Sequence, residues 1–131
     1  MNAPQDFRTP LKRAKGLGSA KSGTGHFFRQ RVTAIVVVLA GVYLLGLLMG
    51  LSGADYATAR AIVADPVNAT VLVAFIVAAF WHAKLGVQVV IEDYVHEALP
   101  AGVLHMANIL ICALAAIAGV FAVVRIALSG A

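Results

Sequence analysis

The feature that most constrains this chain is the stretch Val32 to Leu51 (VTAIVVVLAGVYLLGLLMGL), in which no side chain is charged. A helix needs about 20 predominantly apolar residues to cross the hydrocarbon core of a bilayer. Inside that core each backbone N–H and C=O must be satisfied within the segment, which a helix does and an open strand does not. Two further apolar blocks follow, Val67 to Ile91 and Val103 to Leu128. In all three the apolar residues run continuously instead of falling on one face, which excludes an ordinary soluble core. Composition agrees: 61% of residues are hydrophobic and 12% charged, against about 25% charged in an average soluble domain. The expected fold class is therefore all-α, an integral membrane protein with three transmembrane helices packed in a bundle, with spans at about 32–51, 67–91 and 103–128.

Charge sets the expected orientation. Of the 10 Lys and Arg residues, Arg8, Lys12, Arg13, Lys15, Lys21, Arg29 and Arg31 precede the first block. The positive-inside rule places such a terminus in the cytoplasm, or in the matrix of an organelle, and anionic headgroups attract it further. A basic tail beside a span needs no nucleic acid to explain it. Residues 1–30, rich in Gly, Ser and Lys, show no apolar periodicity and read as a basic, extended arm ahead of a 31–131 anchor domain. The arm's composition resembles a transit peptide, but it runs into Arg31 and the first span with no obvious processing site, and an uncleaved start at Met1 favours a bacterial inner membrane over a mitochondrial one.

Between the blocks, Leu51 to Pro66 reads as a short connection, with Asp65-Pro66 as the start signal for the next helix. Glu92 to Gly102, with its acids and Pro100, reads as a second break. The single cysteine, Cys112, lies in an apolar run, which excludes a disulfide framework and leaves it as packing filler.

The informative residues are the polar ones inside block two: His82, Lys84 and Gln88. His82 lies deep in the block, beyond the reach of snorkelling, and an ionisable group at bilayer depth needs a partner. Three readings fit the chemistry. A neutral histidine bonds across helices; an imidazole ligates a metal or haem in a bundle core; or His82, Lys84 and Gln88 line the polar path of a small transporter. Gly86, one turn on, leaves room on the face of His82, and Val89 and Asp93 continue that face. Lys84 points about 200° away from it at 100° per residue. His26, His96 and His105 sit at or near the interfaces, so if His82 binds haem, the second axial ligand comes from another protein chain. At the end of block two, Asp93 and Tyr94 can relay a proton and donate a hydrogen bond to a carbonyl. They also fit the ordinary run of interfacial acids and tyrosines, and Arg31 likewise fits a flanking anchor.

The segment HAKLGVQVVIEDYVH, residues 82–96, resembles the H-x3-G-x6-D-Y signature of the small hydrophobic membrane anchor of succinate dehydrogenase. Residues 22–26 (SGTGH) and 29–39 (RQRVTAIVVVL) are similar to the lead into that family's first helix. The resemblance implies a non-catalytic anchor of succinate:quinone oxidoreductase, respiratory complex II, paired with a cytochrome b anchor subunit and carrying iron-sulphur and flavoprotein subunits. It implies that His82 is an axial ligand of a haem b shared with that cytochrome b partner, that Tyr94, with Asp93 beside it, holds ubiquinone, and that Arg31 lies near the quinone and the haem propionates. His26 and Lys84 receive no role from the resemblance. An anchor of the same kind without a cofactor is the remaining alternative.

Overall fold

A computed structural model describes residues 9–11 and 23–129. Among them the chain forms four α-helices and no strand: α1 (Gly23–Gly50), α2 (Tyr56–Ala64), α3 (Pro66–Tyr94) and α4 (Ala98–Ser129). The three long helices contain 28, 29 and 32 residues, or about 42–48 Å at 1.5 Å per residue. That exceeds a hydrocarbon core of roughly 30 Å, so their polar ends lie at headgroup depth. All three are long and apolar enough to cross a membrane, and the chain is a multi-pass membrane protein.

Each helix departs from its expected boundary for an identifiable reason. α1 begins at Gly23, so the last residues of the expected arm, up to Gln30, are helical; most of the arm, with Arg8, Lys12, Arg13, Lys15 and Lys21, lies outside the described residues. Those turns carry few apolar residues, yet their polar face packs against α3, and tertiary packing outweighs the absence of an apolar pattern. The connection after α1 contains the short α2. It starts because the Asp55 carboxylate accepts from the Thr58 N–H at 2.9 Å, and Gly53, with φ of 85°, closes the preceding turn in the left-handed region that favours glycine. α2 stops where Pro66 forces Asp65 into an extended conformation, with φ −55° and ψ 131°. Asp65 then caps α3, accepting from the N–H of Val67 at 3.0 Å and of Asn68 at 3.1 Å. α4 starts at Ala98, before the expected break ends, because Pro100 falls in its first turn, where a helix has no use for the missing N–H.

α3 is central. It packs against α1 on one side and α4 on the other, and α1 and α4 do not meet. α4 approaches closely: a Cβ on Gly119 would lie 3.1 Å from Ile76 Cγ2. The buried apolar residues are few (Leu44, Ala69, Ala78, Leu85, Ile91 and Val123), while Leu39, Leu48, Ile111, Leu114 and Phe121 stand exposed. Such a surface is costly in water at about 25 cal/mol per Å² and free of that cost in hydrocarbon.

Polar ties secure the end that carries α2. The Tyr43 hydroxyl donates to Asn68 Oδ1 at 2.6 Å, and Asn68 Nδ2 donates to the Ile62 carbonyl at 2.8 Å, joining α1, α3 and α2. Arg60 donates to the Ser129 carbonyl at 2.9 Å and to its hydroxyl at 2.8 Å, capping the end of α4 from α2. The opposite end gathers the start of α1, the finish of α3 and the start of α4, and the candidate site lies toward it.

Candidate functional site

Two stripes face each other where α1 runs antiparallel to α3. On α1 the spacing i, i+4, i+7 puts His26, Gln30 and Thr33 on one side. On α3 the same spacing aligns His82, Gly86 and Val89. The stripes meet at His82, whose ring lies about 18 Å of helix rise from Tyr94. Its Nδ1 is 3.1 Å from Thr33 Oγ1, and its Nε2 is 3.3 Å from Gln30 Nε2. Gly86 packs against the Gln30 amide, which would lie 3.8 Å from a Cβ there.

One turn further toward the end of α3, a partly open cavity of about 560 Å³ is lined by His26, Phe27, Gln30, Gly86, Gln88, Val89 and Glu92. Two buried polar atoms on its α1 wall, His26 Nε2 and Gln30 Oε1, have no hydrogen-bond partner. Leaving such a group unpaired costs about 1–3 kcal/mol, so this wall suits a ligand with polar groups of its own. Arg31 stands at the rim: its guanidinium stacks over the Phe27 ring at 4.2 Å, and its side chain is exposed.

Asp93 and Tyr94 are exposed at the end of α3, and among the described residues neither makes a side-chain hydrogen bond. Glu92, which has no role in the sequence reading, is the acid that lines the cavity. The structure thus brings His82 and Gly86 together with the α1 stripe, sets Arg31 at the rim, and leaves Asp93 and Tyr94 at the surface.

Lys84 turns to the other side of α3. It lines an apolar cavity of about 440 Å³ between α3 and α4, with Phe80, Trp81, Ile109 and Cys112 among its neighbours. Its ammonium donates to Gln88 Oε1 at 2.8 Å, and Gln88 Nε2 donates to Glu92 Oε1 at 2.8 Å, so a ladder along one helix links the cation to a carboxylate at the membrane edge. Asn108, buried on α4, donates to the Lys84 carbonyl at 2.9 Å and accepts from Cys112. His82 thus faces α1 and Lys84 faces α4, while Gln88 and Glu92, which form the Lys84 ladder, also line the cavity on the α1 side.

The residues that sequence reasoning missed are Gln30 and Thr33. Their signal was the polar 3–4 spacing His26, Gln30, Thr33, which becomes visible only once the helix is known to begin before residue 26. Among the described residues no cluster of three or more His, Cys, Asp or Glu gathers, so the described chain alone builds no closed metal centre. What it offers is one imidazole at depth, beside a cavity with orphaned polar atoms and a cation at its rim.

Comparison with known proteins gives this geometry its setting. The family model for succinate dehydrogenase/fumarate reductase transmembrane subunits matches residues 5–123. The chain is 40% identical over 90 residues to the succinate dehydrogenase hydrophobic membrane anchor subunit of Rickettsia bellii, an alignment covering 69% of this chain and 72% of that one. It is 37% identical over 91 residues to the same anchor of Rickettsia conorii, covering 69% and 72%, and 31% identical over 91 residues to that of Rickettsia typhi, covering 70% and 73%. No solved structure matches. With a family model spanning most of its length and relatives of this identity, the chain belongs to the family of succinate dehydrogenase/fumarate reductase transmembrane subunits.

Proposed function

We propose that this membrane anchor holds one side of a haem b and one edge of the quinone site through which electrons from succinate leave the complex. The observation that carries this reading is His82: an imidazole deep in a spanning helix, with Nε2 turned to a weak contact at 3.3 Å and a polar-walled cavity adjoining it.

The residues present fit the group. His82 Nε2 would supply a neutral lone pair to the iron, and with the Gln30 amide moved aside Gly86 would leave space for the flat ring system. The cation of Arg31 and the orphaned Nε2 of His26 stand where carboxylate side groups would be answered. Haem b, when bound, supplies one-electron redox capacity. Any further protein ligand would come from the partner cytochrome b anchor, since His26, His96 and His105 belong to the end of the bundle. The iron-sulphur and flavoprotein subunits complete the complex.

Quinone reduction takes two electrons and two protons and forms no bond to this chain. The Tyr94 hydroxyl donates to one quinone carbonyl, and the Asp93 carboxylate beside it accepts and returns a proton at the surface. The contribution is one of position and electrostatics. The basic N-terminus puts this end on the cytoplasmic face of a bacterial inner membrane.

A complex purified through a tag on this chain is expected to oxidise succinate with both an artificial dye and a quinone, and to show reduced-minus-oxidised haem b bands. Tyr94→Phe is expected to lower quinone reduction about tenfold, the effect of one lost hydrogen bond of roughly 1–1.5 kcal/mol, with dye reduction intact. Equal loss in both assays would remove Tyr94 from the quinone site, and a tag that captures no succinate oxidation would remove the whole reading.

A further inference from the structure

The hydrogen bonds around Thr33 favour one nitrogen of His82 as the bearer of the proton. Thr33 Oγ1 lies 2.9 Å from the Arg29 carbonyl and 3.0 Å from the Gln30 carbonyl, one turn back on its own helix. Carbonyl oxygens only accept, and a hydroxyl has one proton and two lone pairs. A Thr33 proton given to either carbonyl leaves a lone pair for the His82 ring at 3.1 Å. In that arrangement Nδ1 is the protonated nitrogen, donating to Thr33. On a neutral imidazole this leaves Nε2 as a bare acceptor.

The other side of the ring agrees. Nε2 meets the Gln30 amide nitrogen, a donor, at 3.3 Å, beyond the usual 2.9–3.0 Å and therefore weak. In the reversed tautomer the Thr33 proton would have to leave the backbone carbonyls for Nδ1, and the Gln30 amide would have to turn its Oε1 to the Nε2 proton.

We propose that Thr33 is the positioning residue for His82: it holds the Nδ1–H tautomer and fixes the ring so that the Nε2 lone pair faces the α1 side. The proposal rests on the haem reading above for its consequence, and on the hydrogen bonds alone for its chemistry. A ligating histidine whose other nitrogen is anchored keeps its orientation and gains basicity, and loss of such an anchor typically costs 10–100-fold in metal affinity.

The test uses the whole complex in membranes, with the haem iron reduced and with ¹⁵N-labelled histidine, and assigns the His82 signals by difference from His82→Leu. The wild-type ring is expected to show a protonated, hydrogen-bonded Nδ1 and an unprotonated Nε2. Thr33→Ser is expected to preserve both the signals and the haem content. Thr33→Val, nearly the same shape without the hydroxyl, is expected to shift the Nδ1 signal to that of a weaker hydrogen bond and to lower haem affinity about 10–100-fold. A wild-type His82 protonated on Nε2 overturns the proposal whether or not Thr33→Val assembles. So does a Thr33→Val complex with unchanged Nδ1 signal and haem affinity. If the wild-type complex carries no haem yet shows the Nδ1–H tautomer, the positioning role stands and the haem reading falls.

Discussion

His82, Lys84 and Asn108 are tolerated inside the bundle because each is answered locally. His82 is bracketed by Thr33 and Gln30, Lys84 passes its charge through Gln88 to Glu92, and Asn108 reaches across to the Lys84 carbonyl. These ties differ in purpose. A bond such as that of Asn108 is worth on average about 0.6 kcal/mol between membrane helices, because the separated helix also finds partners. Asn108→Leu is therefore expected to lower the stability of the purified complex by under about 1 kcal/mol in denaturant titration, with haem content unchanged; a loss several times larger would show that α3 and α4 depend on it. His82 and Gly86 were legible in the sequence, because an imidazole and a missing side chain one turn apart stand out in an apolar run. Gln30 and Thr33 were not. They are small neutral polar residues at the edge of a span, and their meaning appears only when α1 is set against α3. Glu92 and Asp93 are adjacent, about 100° apart around the helix, and which of them meets the cavity depends on where α1 packs.

At the level of elements, the spans were readable and their ends were not. Hydrocarbon thickness imposes a length that any sequence must show, whereas helix ends at headgroup depth obey caps and packing. Asp65 and Pro66 announced α3 correctly, since an acceptor ahead of a proline is a local signal. The early start of α1 had no such signal, and α2 was hidden in a connection too polar to register as a helix. α2 also offers a pH test. The hydroxyl and N–H of Thr58, bonded to the exposed Asp55 carboxyl, hold its pKa below the ordinary carboxylate value. A carboxyl with a lowered folded pKa stabilises its helix fully above the unfolded value, and that help is lost as pH falls through the lowered one. Amide exchange at Thr58 and Ala59 is expected to quicken only in that acid window, and Asp55→Asn, which keeps a cap, to abolish the pH dependence. Protection that ignores pH, or an Asn variant that titrates the same way, would exclude Asp55 as the cause.

The whole molecule is a row of three spans with α3 in the middle, bearing exposed Leu, Ile, Val and Phe on its outer faces. Lipid satisfies such faces. The cavity between α1 and α3, however, is walled partly by groups with unmet hydrogen-bonding capacity, which lipid does not satisfy. In the function proposed above, His82 is the residue that ties the membrane scaffold to the redox chemistry of the complex. The direct measurement is haem per flavin, by reduced-minus-oxidised absorption, in complexes purified with wild-type chain and with His82→Leu. The wild-type complex is expected to carry one haem b per flavin, and the variant to lose most of it or to show altered axial ligation while still oxidising succinate with a dye. Full haem with an unshifted spectrum in the His82→Leu complex would contradict the assignment of the iron to this chain.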